Sequence, residues 1–142
     1  MRRDELLRFL RKHKLGVLST VSAAGEPEAA VVGVAFTDEL EILFDTLETT
    51  RKAVNLRRSP KIAFVVGWDE EITAQLEGVA DEPGGAELER LKEAYFQVYP
   101  DGRERQRWKG ITYFRVRLHW ARYGDFNPGG NIVEFSRSDL LG

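Results

Sequence analysis

At 142 residues, with 42% hydrophobic and 31% charged side chains, the chain has the composition of a folded globular protein and is expected to form one domain, residues 1–142, with no disordered or low-complexity segment. The absence of cysteine excludes disulfides, thiolate metal sites and a thiol nucleophile together. A formal charge of −2 and an isoelectric point near 5.8 argue against a nucleic-acid partner, and no stretch approaches the ~18 apolar residues of a membrane span, so a cytoplasmic location without membrane contact is expected.

In "RRDELLRFLRKHK" Leu6, Leu7, Phe9 and Leu10 recur at helical spacing and Asp4 can cap the first turn, which predicts a short amphipathic helix. "GVLSTVS" and "EAAVVGVAFT" read as two strands joined through the turn residues of "AAGEP". "TDEL" is a second turn, and "EILFDT" alternates Ile42 and Phe44 against Leu43 and Asp45, so these strands are expected to form a three-strand meander. Ala53, Val54 and Leu56 then predict a helix from about Thr50 to Arg58, stopped at Ser59-Pro60 because a residue before proline disfavours α geometry.

"KIAFVVGW" is a nearly continuous apolar run, which predicts a strand buried on both faces, and it can pair across "WDEE" with the alternating "ITAQLEGVADE". Leu88, Leu91, Ala94 and Tyr95 in "GGAELERLKEAYFQVYP" mark the longest helix, bounded by Gly85 and Pro100. "ITYFRVRLHWARYGDF" is long enough for one bent strand or two successive ones, "NPGG" reads as a turn, and "NIVEF" resumes strand chemistry. Trp68 and Trp108 are taken as packing residues. The sum is a mainly β chain, an antiparallel six- to seven-stranded β-barrel with peripheral α-helices, because closure removes exposed sheet edges.

Few residues offer catalysis. His13 and His119 have no His, Asp or Glu at ligand spacing, which argues against a metal site. No G-x-S-x-G elbow and no glycine-rich phosphate loop of the usual kinds occurs. The concentrated feature is "TLETTRKAVNLRRSP", which admits three readings: a solvated helix face, a nucleic-acid stripe, or a cradle for a small anion. Arg51 and Lys52 fall in the first helical turn beside Thr49 and Thr50, where free backbone N–H groups and hydroxyls converge, a phosphate-binding arrangement. Cations there oppose the helix dipole by roughly 0.3–1 kcal/mol each, a cost that a bound anion reverses. Arg57 and Arg58 complement the opposite end of the same dipole.

The order of these segments, and above all Thr50-Arg51-Lys52-Ala53-Val54-Asn55-Leu56 followed by a proline and an apolar strand, resembles the pyridoxamine 5′-phosphate oxidase-like FMN-binding split β-barrels. The resemblance spans nearly the whole chain and implies a homodimer that binds FMN at its interface. It assigns the flavin phosphate to Arg51 and Lys52, with Thr50 as a hydroxyl or backbone donor. Ala30, Val31 and Val32 would line the ring through strand backbone groups, and Asp45 and Thr46 would sit at the end of the next strand. Thr73 or Gln75 would meet the cofactor from the second subunit, and Trp120 and Arg122 match the region that closes the flavin site.

A flavin carries hydride and electron transfer itself, which accounts for a chain without a nucleophile or general base. The resemblance therefore implies a flavin-dependent oxidoreductase with an unassigned substrate, drawing on a reduced nicotinamide nucleotide. A non-catalytic flavin store or sensor and a deazaflavin enzyme using F420 are the alternatives. Counting without gaps from Lys52, the founding oxidase's substrate-phosphate lysine falls at Ala35, so oxidation of pyridoxamine phosphate itself is not expected.

Overall fold

Every second residue of the strand Ile72–Asp81 is buried, Ala74, Leu76, Gly78 and Ala80 in turn, and that period-2 pattern places a core on one side of a sheet. The computed structural model describes residues 1–142, with helices α1 (Arg3–Leu10), α2 (Arg51–Arg58), α3 (Gly85–Val98), α4 (Gly102–Arg105) and α5 (Arg137–Leu141). The strands are β1 (Leu15–Val21), β2 (Pro27–Gly33), β3 (Ala35–Phe36), β4 (Ile42–Leu47), β5 (Lys61–Val66), β6 (Ile72–Asp81), β7 (Ile111–Asp125) and β8 (Ile132–Phe135). They form one antiparallel sheet in the order β2-β1-β5-β6-β7-β4-β3, with β8 added on β7.

β2 and β3 stand at opposite ends of that order, yet only Val34 separates them in sequence. The sheet must therefore curl until its two ends meet, a barrel left split between β2 and β4. This corrects the expected meander: β4 pairs with β3 and β7 and makes no ladder with β2. The expected second strand also breaks at Val34, where its N–H turns to Lys14 O (2.9 Å), giving eight strands, one of only two residues.

β7 runs unbroken for fifteen residues and bridges β4 at one end and β8 at the other. Its ladder with β6 shifts register between Glu77 and Gly78, a bulge that leaves His119 unpaired. Gly78 is required there, since a Cβ would come within 2.4 Å of Arg117 O.

The barrel core is built from alternate residues of these strands and closed by helix faces. Phe44 and Phe114 stack at 5.6 Å, Phe64 meets Phe44 edge-on, and Leu6, Leu10, Ala53 and Leu56 cover them from α1 and α2. A second cluster packs Leu91, Tyr95 and Phe96 of α3 on Ala35 and Leu43.

Three local expectations need correction. The first turn of α1 is capped by Glu5, which accepts from Arg2 N (2.7 Å), while Asp4 pairs with Arg2 and Arg8. β5 is not buried on both faces: Ile62, Phe64 and Val66 point inward, and Val65 is 37% exposed on the outer side. Trp68 and Trp108 are exposed rather than packed. No helix is long and apolar enough to cross a membrane.

Candidate functional site

The chain reaches Arg51 through β4, and α2 begins there because Thr50 is a strong N-cap. The Thr50 hydroxyl accepts from Ala53 N (3.4 Å), lies 2.9 Å from Thr46 Oγ1, and reaches Leu47 O at 2.9 Å. Thr50 N also bonds Leu47 O (3.0 Å). The N–H and hydroxyl of Thr50 thus have partners inside the chain, and Thr50 lines the pocket beside Arg51 and Lys52. Thr50 and the buried Thr46 set the angle at which α2 starts.

That angle aims the first turn of α2 into a pocket of about 320 Å³ against the β1–β2 hairpin, lined by Leu18, Thr20, Glu28, Ala29, Ala30, Thr50, Arg51 and Lys52. Its volume lies at the lower end of the roughly 300–1,000 Å³ of small-molecule sites. Arg51 and Lys52 flank the opening, and their backbone N–H groups have no carbonyl within the helix to bond. Lys52 forms no ion pair with the rest of the chain. β2 is the sheet's edge strand, so one side of its backbone is unpaired beside the small side chains of Ala29 and Ala30. Cations, free N–H groups and an accessible edge strand together suit a phosphate monoester carrying a flat ring.

One group in the pocket was not legible from the motif. Glu28 turns inward from β2 and grips the Arg51 guanidinium with both carboxylate oxygens. It also accepts from Asn55 Nδ2 (2.8 Å), and that buried amide donates in turn to the buried Thr20 Oγ1 (3.0 Å). Arg51, and after it Asn55, hold the Glu28 carboxyl below the ordinary carboxylate range, and Glu28 raises the Arg51 guanidinium further above its ordinary value. The signal was present in the alternation of β2, which puts Glu28 on the same face as Ala30 and Val32, a charged residue on an inward row.

The remaining expected site residues lie in three other places. The Val31 side chain points outward at 62% exposure while Val32 enters the core, and neither lines the pocket, which β2 reaches through Glu28, Ala29 and Ala30. Asp45 does not line the pocket: Arg105 Nε (2.9 Å) and Tyr95 OH (3.1 Å) both bond its carboxylate beneath α3. Thr73, Gln75, Trp120 and Arg122 lie on the outer face of β6 and β7, with β1 and β5 between them and the pocket. There the Arg122 guanidinium sits 5.6 Å over the Trp120 ring and pairs with Glu134 (2.5 Å), and the Thr73 hydroxyl is buried without a partner. Arg57 is held by Glu82 through two 2.8 Å bonds and Arg58 by Val21 O (2.6 Å), so the basic stretch does divide at its middle.

A family model described as pyridoxamine 5′-phosphate oxidase matches residues 3–124. The pyridoxine/pyridoxamine 5′-phosphate oxidase of Bordetella avium (strain 197N) is 30% identical over 121 residues, 78% of this chain and 56% of that protein, so the chain spans just over half the length of this relative. Among solved structures, a heme binding protein from Mycobacterium smegmatis superposes with a TM-score of 0.84 at 17% identity over 99% of this chain and 60% of its own. The heme storage protein of Vibrio cholerae does so at 0.71 and 17% identity, over 83% and 91%. At such identities these two likenesses show the fold alone, a mainly antiparallel split barrel.

Proposed function

The chain belongs to the pyridoxamine 5′-phosphate oxidase family, and from that premise we propose that it binds FMN, phosphate first, in the pocket at the start of α2, within a homodimer. The observation that carries this reading is the convergence of Arg51, Lys52 and the open end of α2 on a pocket floored by an edge strand. Arg51 and Lys52 would hold the phosphate through charge-assisted hydrogen bonds, and β2 from Ala30 to Val32 would offer backbone donors and acceptors to the ring. Bound FMN would supply hydride and electron transfer. None of the pocket-lining residues carries an imidazole, thiolate, thioether or phenol that could ligate haem iron, which favours flavin over the ligand of the two heme proteins.

The dimer reading draws on the outer sheet face. Val31, Val17, Val65, Gln75 and Arg122 occupy one row across β2, β1, β5, β6 and β7, and Val31 and Val65 of that row stay exposed in a single copy, as does Leu15 at the start of β1. A second copy on this face would bury the apolar row, give β5 the two-sided burial its sequence suggests, and bring the partner's outer-face residues towards the cofactor. Catalysis would be oxidoreduction of a small molecule at the expense of a reduced nicotinamide nucleotide. Ala35, buried at 2% exposure, leaves no charge where the founding oxidase holds its substrate phosphate. That observation favours a second reading, flavin storage or sensing without turnover; F420 is the alternative cofactor for the same cradle.

Reconstitution tests the proposal. Adding FMN to the purified protein should quench flavin fluorescence and leave a yellow protein after gel filtration, and free FMN recovered unquenched at micromolar protein would refute it. Mass spectrometry of the ligand released from freshly purified protein separates FMN, F420 and haem. Stopped-flow reoxidation against a panel of acceptors separates turnover, selective for one acceptor, from storage.

A further inference from the structure

We infer that Glu28 is an internal counter-anion that competes with the ligand's phosphate for Arg51, and so sets the pocket's preference among anionic ligands. The identity of that ligand rests on the flavin reading; the competition itself rests on geometry alone. Glu28 is not a free surface glutamate. Its side chain is 19% exposed, both oxygens engage Arg51, and Oε1 is also fixed by Asn55, itself 6% exposed and anchored on Thr20. A buried amide thus holds the carboxylate against the guanidinium that would take the phosphate.

The charged groups facing Glu28 are Arg51 and, across the pocket, Lys52, both from α2, while β1 contributes the neutral Thr20. The cradle therefore carries two cations and one anion. A dianion arriving at Arg51 meets a carboxylate on the same guanidinium. Arg51, at 78% side-chain exposure, is free to swing towards the newcomer, which leaves Glu28 with Asn55 alone and a second anion close by. Either neighbour change raises the carboxyl's proton affinity, so anion binding is linked to proton uptake at Glu28. Ligands held by the phosphate alone are penalised, and ligands whose ring is anchored independently on β2 overcome the competition.

The test uses the full chain and three probes: FMN, riboflavin, and inorganic sulfate, which stays a dianion throughout the titration range of a carboxylate. Glu28→Gln keeps the acceptor for Asn55 and removes the charge. It should tighten FMN and sulfate binding about tenfold, the scale of one like charge removed from a partly exposed site, and leave riboflavin unchanged. Sulfate affinity of the unaltered protein should rise as the pH falls from 6 to 4, towards the depressed range of the free Glu28 carboxyl, and this rise should vanish in the variant. Weaker FMN and sulfate binding by Glu28→Gln would overturn the inference, since Glu28 would then orient Arg51 for the phosphate. A flat sulfate profile in the unaltered protein would overturn it without any variant. If FMN fails to bind either protein while Glu28→Gln tightens sulfate, the flavin reading falls and the competition stands. If FMN binds both equally, the competition falls and the flavin reading stands.

Discussion

Two arginines of this barrel, Arg115 on β7 and Arg51 on α2, carry the same charge to different ends. Arg115, on β7, has 5% of its side chain exposed and is enclosed by Asp81 at the end of β6, Glu87 at the start of α3, and Glu41 before β4, at 2.6, 2.9 and 3.3 Å. Arg90 joins the same cluster through Glu87 (2.6 Å) and Glu41 (3.1 Å). Arg51 is 78% exposed, has one carboxylate partner, and stands next to an unpaired lysine at a helix start. What distinguishes a cation that fastens elements together from one that can receive a ligand is burial and the number of its partners, neither of which composition reports.

The largest expected effect on stability falls on the fastened side. Arg115→Ala removes the buried centre of this cluster and leaves Glu41 with Arg90 as its one remaining cation, and should cost about 3 kcal/mol of stability, the lower end for a broken buried pair, read from urea denaturation. A cost below about 1 kcal/mol would put Arg115 in the same class as exposed ion pairs and erase the contrast. Next comes the open side: Arg51→Ala with Lys52→Ala should weaken FMN binding by about 2–5 kcal/mol through the lost charge-assisted bonds, while stability falls by no more than about 1 kcal/mol, the worth of the Arg51–Glu28 pair. Val65→Asp, a charge set in the exposed apolar row, should weaken self-association by about 1–3 kcal/mol, measured by sedimentation.

A pH series sharpens the same comparison. Glu82, beside Arg57, and Glu87, beside Arg90, are both held below the ordinary 4.5. Carboxylates depressed in the folded state add stability that is complete above 4.5 and lost as the pH falls through their lowered values. The urea midpoint should therefore drop between pH 5 and pH 3; a midpoint that does not move would contradict the pairing. The smallest effect is expected at Arg122→Ala, where an exposed pair with Glu134 is worth at most about 1 kcal/mol.

Local chemistry made much of this legible. Thr50, Ser59-Pro60 and the spacing of Ala53 and Leu56 bound α2, and the Arg51-Lys52 pair at its start marks the pocket. What escaped depends on contacts between distant segments. The continuity of β2 into β3 only becomes closure once β4 pairs with β7, about seventy residues later in sequence. Asp45 precedes the Thr46 that fixes the start of α2, yet Arg105 and Tyr95, brought over by α4 and α3, take its carboxylate. Glu28 shares a strand with candidate ring-lining residues, and only the packing of α2 on β1 and β2 shows that it reaches Arg51.

The most direct test is a paired titration of FMN and riboflavin against the unaltered protein and the Arg51→Ala, Lys52→Ala variant, followed by flavin fluorescence. The ligands differ only in the phosphate, so FMN should bind far more tightly to the unaltered protein and the gap should close in the variant through loss of FMN affinity alone. Equal affinities in the unaltered protein, or an equal loss for both ligands in the variant, would contradict a phosphate site at the start of α2.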